Sequence, residues 1–169
     1  MNGWIFIDKP KNITSFKVIK RLKKILNIKK IGHSGTLDPF ATGILAIALG
    51  EATKSIHYLN QNKVYKFNVV FGELKDTDDI TGKTIKKSNI LPTLDEIDQC
   101  IKKFIGKHRQ IPPQFSAVKV NGKRAYKLAR NNQKFELKAK DVFIKSIECL
   151  GTKNKNEYSF MVECSTGTY

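Results

Sequence analysis

Between Gly32 and Lys54 the chain reads GHSGTLDPFATGILAIALGEATK, a run that sets one carboxylate, Asp38, between a glycine-bearing turn and a proline. Behind Asp38 come a short helix candidate, the small-residue apolar run Gly43 to Leu49, and a second helix start. A carboxylate held on a tight turn at the mouth of a packed core has the chemistry of a nucleophile. Asp followed by Pro is equally the chemistry of a helix start, the one as N-cap and the other at the first helical position. Local grounds leave both readings standing. His33 lies five residues before Asp38, and Lys9 lies in an Asp-Lys-Pro turn. Tyr65 shares a strand face with Phe67 and Val69 and brings both a π face and a hydroxyl. Phe115, Lys119, Lys123, Arg124, Tyr126, Lys127 and Arg130 interleave aromatic with basic groups. Aromatic rings stack on splayed bases while Lys and Arg track phosphates, so this segment suits a structured RNA loop.

The elements that must position these groups are mixed. Trp4 to Ile7 reads as a buried strand, and Thr14 or Ser15 caps an amphipathic helix carrying Phe16, Val18, Ile19, Leu22, Ile25 and Leu26. Its other positions are Lys17, Lys20, Arg21, Lys23 and Lys24, a basic outer surface read as solvated. Gly43 to Leu49 is expected as a central strand, Glu51 to Asn60 as a helix, and residues 65–71 as a strand of period two. An acidic loop follows, ending in a Thr81-Gly82 turn. Thr93 with Glu96 makes a capping box that opens a helix to about Ile105. Beyond Pro112-Pro113 come a short strand through Val118 and Val120, an Asn121-Gly122 turn, and a short basic helix over 123–130. Two strands close the chain, Val142 to Cys149 and Tyr158 to Cys164, joined by GTKNKN. This order argues an α+β domain around one twisted sheet.

The chain has 169 residues, a length expected of one domain with a real core, and 31 Lys+Arg against 15 Asp+Glu give a formal net charge of +16. Such a surface favours a polyanion, because each phosphate neutralised releases condensed counterions. The charge is blocked: Lys102 to Lys145 holds 13 Lys/Arg against Glu136 and Asp141, whereas Phe71 to Asp98 holds seven acids against four lysines. Nucleic acid is favoured over a membrane, since no long basic amphipathic helix with aromatic anchors is present. Cys100, Cys149 and Cys164 are far apart and form no C-x-x-C pair, so they are expected as buried apolar residues in a reduced compartment. The expectation is a cytoplasmic protein without a metal site.

The Gly32–Lys54 run resembles the catalytic signature of the TruB-type pseudouridine synthases, in which the aspartate of G-x-L-D-P is the nucleophile. GWIFIDKPKNITSF (Gly3 to Phe16), VYKFNVVFG (Val64 to Gly72), QIPPQFSAVKVNGKRAYKLAR (Gln110 to Arg130) and CSTGTY (Cys164 to Tyr169) resemble further motifs of that family, in the same order. The resemblance implies a pseudouridine synthase fold, a mainly antiparallel mixed sheet flanked by helices, with an RNA-gripping insertion at 109–138. It implies isomerisation of uridine to pseudouridine at position 55, in the TΨC loop of tRNA, by a monomer. The reaction involves no redox change and no net group transfer, so no cofactor is expected. Asp38 becomes the nucleophile; attack at C6, attack at C1′ and removal of the C2′ proton all remain open. Tyr65 becomes the tyrosine that stacks on the uracil, Tyr169 a pocket-lining residue, and Lys9 a support of the loop or a phosphate contact. His33 enters the space left by the flipped base, and the aromatic-basic segment Phe115 to Arg130 grips RNA.

Two alternatives accompany this reading. The guide-RNA-dependent branch of the same superfamily also carries G-H-S-G-T-L-D-P, although ATGIL and GEATK look like the stand-alone branch. A noncatalytic RNA-binding or RNA-chaperone module is the other. The family's last motif continues past GTY to an arginine that pairs with the aspartate, whereas this chain stops at Tyr169. Residues 1–169 are therefore expected to be a catalytic domain incomplete at its C-terminus, without the small C-terminal RNA-binding domain, and of reduced activity.

Overall fold

The apolar pattern that opens the chain does become a strand, β1 (Gly3–Lys9), followed by α1 (Ser15–Ile25), β2 (Ile31–His33) and β3 (Gly43–Leu49). The computed structural model describes residues 1–59 and 62–169, which form two compact units parting at the undescribed pair. In the first unit β3 is central: β1 pairs with it antiparallel from Gly3 opposite Leu49 to Lys9 opposite Gly43, and β2 pairs on its other edge. Alternation turns Leu45, Ile47 and Leu49 to one face. There they meet Ile13, Val18 and Ile19 in a buried cluster edged by Ile5, Ile7, Leu22 and Leu26. Each fully buried aliphatic chain contributes roughly 1.5–3 kcal/mol, which is what holds α1 across the sheet. Thr14 is the N-cap of α1, its hydroxyl accepting from the Lys17 N–H at 3.1 Å.

Two local expectations are corrected in this unit. Pro39 and Phe40 form a single turn, not a helix, with the Ala41 N–H donating to the Asp38 carbonyl at 3.1 Å. Only four residues separate Asp38 from β3, too few for a helix that also returns to the sheet. The segment expected as a helix over 51–60 is a 3₁₀ helix at Gly50–Tyr58, and Asn60 lies outside the described residues.

The second unit is built from β4 (Lys63–Val70), β5 (Glu73–Lys75), β6 (Thr84–Lys87), α2 (Leu94–Lys102), β7 (Gly106–Gln110), β8 (Lys119–Val120), β9 (Lys123–Arg124), α3 (Ala125–Arg130), β10 (Lys140–Asn154) and β11 (Glu157–Cys164). Its main sheet runs β4-β11-β10-β7, antiparallel throughout, while β5-β6 and β8-β9 are separate hairpins. The strands thus fall into separate sheets within an α+β fold, in place of one continuous sheet. Ile144, Val162 and Cys164 form a small core with Ile147, and the Phe67 ring stacks on Phe160 at 5.7 Å.

The acidic stretch expected as a loop is a hairpin, its tip organised by Asp79, whose carboxylate accepts from both the Thr77 and Thr81 hydroxyls. Burial pushes this carboxyl up, but the hydrogen bonds from Thr81 and Thr77 outweigh it and hold the group below the ordinary aspartate range. The capping box at Thr93 and Glu96 is present, and α2 stops at Lys102, short of Ile105. β7 was not legible in the sequence because GKHRQ carries no apolar alternation. Asn121 (φ 48°) and Gly122 (φ 79°) both take positive φ, the two-residue turn that suits the twist of a tight hairpin. Of the cysteines only Cys164 is buried; Cys100 is exposed on α2, which corrects the expectation for it. Among the described residues no helix is long and apolar enough to cross a membrane.

Candidate active site

Asp38 sits, exposed, on the connection between β2 and β3, and the residues on both sides of it are fastened from elsewhere in the first unit. On one side the Leu37 N–H donates to the Ser15 hydroxyl at 2.9 Å, and that hydroxyl donates to the Leu37 carbonyl at 3.1 Å. Ser15, 1% exposed at the start of α1, therefore engages the Leu37 main chain as a neighbouring strand would. On the other side the Pro39 carbonyl accepts from the Asn12 N–H at 2.7 Å and from the Lys9 ammonium at 3.3 Å.

Lys9 is the unusual member of this set. It is 0% exposed, and its ammonium also donates to the carbonyls of Ile13 at 2.8 Å and Pro10 at 3.0 Å. An interior ammonium needs such acceptors, because taking a charge out of water is costly unless it is hydrogen-bonded. The same three carbonyls tie the end of β1, the lead into α1 and the Asp38 connection to one point. These hydrogen bonds run from Lys9, the last residue of β1, to the lead into α1 and to the connection that carries Asp38.

His33 ends β2, and its Nδ1 lies against the Gly35 carbonyl. A carbonyl only accepts, so Nδ1 carries the proton, leaving Nε2 as the ring's other polar atom. The Ser34 N–H donates to the Ala46 carbonyl at 3.0 Å, which anchors the chain as it leaves the sheet towards Asp38. At the far end of β3, Glu51 pairs with Lys54 at 2.6 Å and Lys30 at 3.1 Å, and these two hydrogen bonds hold its carboxyl below the usual range.

The remaining candidates belong to the second unit. Tyr65 lies on β4, an edge strand, opposite Val162, with its side chain 39% exposed. Tyr169 is 52% exposed, and the Gln110 side chain holds its main chain, accepting from the Tyr169 N–H at 2.8 Å and donating to the Tyr169 carbonyl. Sequence reasoning overlooked both Gln110 and Ser15, since nothing in an isolated Gln or Ser announces a partner tens of residues away.

Residues 111–139 leave the sheet and return to it at neighbouring points, Gln110 lying directly opposite Lys140 across β7 and β10. Within this excursion Lys119, Lys123, Arg124, Lys127 and Arg130 are exposed, while Phe115 and Tyr126 are half-buried. The Arg130 guanidinium lies 5.7 Å from the Tyr126 ring centroid. Lys119, Lys123, Arg124 and Lys127 line a recess of about 360 Å³ with Asn131 and Gln133. Among the described residues no three His, Cys, Asp or Glu side chains gather as a metal site.

Residues 23–169 match the model of the TruB family pseudouridylate synthase (N terminal domain). The tRNA pseudouridine synthase B of Ehrlichia ruminantium (strain Gardel) is 50% identical over all of this chain and 58% of its own length. That of Brucella ovis is 43% identical over all of this chain and 52% of its own. The chain thus spans between half and three-fifths of the length of these curated relatives. Among solved structures, a Cbf5-Nop10-Gar1 complex contains a chain that superposes with a TM-score of 0.69 at 31% identity, covering 99% of this chain and 40% of that one. A chain of an H/ACA RNP bound to a substrate RNA containing 2'-deoxyuridine gives 0.67 at 27% identity, covering 99% of this chain and 39% of that one.

Proposed function

This chain belongs to the TruB family of pseudouridylate synthases, and from that premise we propose that it converts uridine to pseudouridine in tRNA, at position 55 of the TΨC loop, with Asp38 as nucleophile. The observation that carries the assignment of Asp38 is the fastening of its loop, at Leu37 by Ser15 and at Pro39 by Lys9 and Asn12. Pinning both neighbours fixes the main chain that carries the exposed carboxylate before substrate arrives, so less orientation entropy is lost at the reacting centre. Curated relatives named for tRNA, at 43–50% identity, favour the stand-alone reading over the Cbf5 complex at 31%.

In the reaction the N1–C1′ bond breaks and a C5–C1′ bond forms; C5 loses a proton and N1 gains one, so the formula is unchanged. The detached uracil must be kept in place and water kept from C1′. Tyr65 is assigned to the uracil, as stacking platform and acceptor of the C5 proton, and Tyr169 to the pocket wall. His33 takes the space vacated by the flipped base, with a flat ring able to offset lost stacking. Residues 109–138 are assigned as an insertion that grips RNA. Tritium release from C5-labelled uridine in unmodified tRNA tests the activity: release confined to position 55 is expected, and binding without release would leave an RNA-binding module.

Replacing Lys123, Arg124, Lys127 and Arg130 together by Gln is expected to weaken tRNA binding and flatten its salt dependence. Every phosphate that is no longer neutralised lowers the log–log slope by roughly 0.7–0.9. An unchanged slope in a fluorescence titration would place this segment away from the RNA.

A further inference from the structure

Helix α1 begins against its own electrostatics. Lys17 stands in its first turn, where the helix dipole disfavours a cation, and no acid is present there to compensate. Lys17 faces Lys20 and Arg21, Lys20 faces Lys23 and Lys24, and Arg21 faces Lys24, all at the spacing of three or four residues where like charges repel. All five cations are exposed. Helix α2 differs at its first turn, where it carries Asp95 and Glu96; both helices end on lysine, Lys102 in α2 and Lys23 and Lys24 in α1. Of the seven Lys and Arg between Lys17 and Lys30, the ion pairs among described residues reach only Lys30, through Glu51. Phe16, 72% exposed, sits one helical turn before Lys20 and adds a stacking surface beside the cations.

A helix that accumulates repulsion on one face without structural return is explained by a ligand that removes the repulsion. We propose that the outer face of α1 is a second phosphate-contacting surface for the RNA substrate, separate from the Phe115–Arg130 segment. The choice of RNA as the polyanion rests on the function proposed above.

The test compares two quadruple variants of equal charge change by anisotropy titration of unmodified tRNA between 50 and 200 mM salt. One replaces Lys17, Lys20, Arg21 and Lys24 by Gln. The other replaces Lys83, Lys86, Lys153 and Lys155, all exposed in the second unit. The α1 variant is expected to lower the salt slope by about 3, four phosphates at roughly 0.7–0.9 each, and the control by less than 1. Removing like charges leaves the α1 helix at least as stable, so its thermal midpoint should hold or rise; the double variant Lys17→Gln/Lys20→Gln should give half the decrease. An unchanged slope, or equal decreases in both quadruple variants, overturns the proposal while wild-type binding keeps the RNA reading intact. Loss of binding to phosphatidylserine vesicles with an unchanged tRNA slope overturns it in favour of a membrane surface. Absence of salt-dependent tRNA binding by the wild-type protein overturns the RNA reading and this proposal with it.

Discussion

Asp38→Asn is expected to lower pseudouridine formation by more than about a thousandfold while tRNA affinity stays within about twofold, the pattern of an interaction made in the chemical step. The substitution is nearly isosteric, and the hydrogen bonds at Leu37, at Pro39 and to the Asp38 carbonyl use main-chain groups of the loop. The loop should therefore persist while the nucleophile is lost. Single-turnover measurement at saturating enzyme separates the two effects, because saturation compensates only for weakened binding. Retention of more than a few per cent of the wild-type rate would sink the nucleophile assignment and return Asp38 to a turn-forming role.

Lys9→Met is expected to have the largest effect on stability. It removes an ammonium from a fully buried position and withdraws its donors from the Pro10 and Ile13 carbonyls, whereas the Pro39 carbonyl retains the Asn12 N–H. Withdrawing the donor from the buried Ile13 carbonyl costs roughly 1–3 kcal/mol, and less from the exposed Pro10, partly offset because the buried charge no longer has to be desolvated. A net loss of about 1–3 kcal/mol should appear as a lower urea midpoint at unchanged slope. Amide exchange over residues 36–41 should accelerate more than in β3, since the Asp38 connection loses one of its ties. A variant as stable as wild type, with unchanged exchange there, would show that Asn12 and Ser15 suffice to hold the loop.

Much of the fold was legible because its signals are local. Thr93 with Glu96, Asn121-Gly122 and the alternation of residues 65–71 each specify a conformation through groups a few residues apart, and each is found where expected, save that the strand ends at Val70. The family motifs were legible for a related reason: they are short runs whose order along the chain survives without knowledge of their contacts. Local signals failed where the environment outvoted them. Asp-Pro after a glycine turn reads as a helix start, yet the chain must rejoin the sheet at Gly43, and only a turn fits that distance. The stretch from Gly106 to Gln110 has no apolar alternation and becomes a strand because Lys140–Ile144 of β10 supplies its hydrogen bonds.

By itself, then, the sequence determined the α+β character and the family and pointed to the candidate groups, since these rest on residue type, spacing and order. Tertiary structure alone decided how the connection carrying Asp38 is held. Ser15 meets Leu37 across 22 residues and Lys9 meets Pro39 across 30, and neither contact has a signature in its own neighbourhood. The burial of Lys9 was decided in the same way. A lysine in a polar turn reads as solvent-facing until three carbonyls from separate stretches of chain converge on its ammonium, and that convergence exists only once β1, α1 and the Asp38 connection have packed.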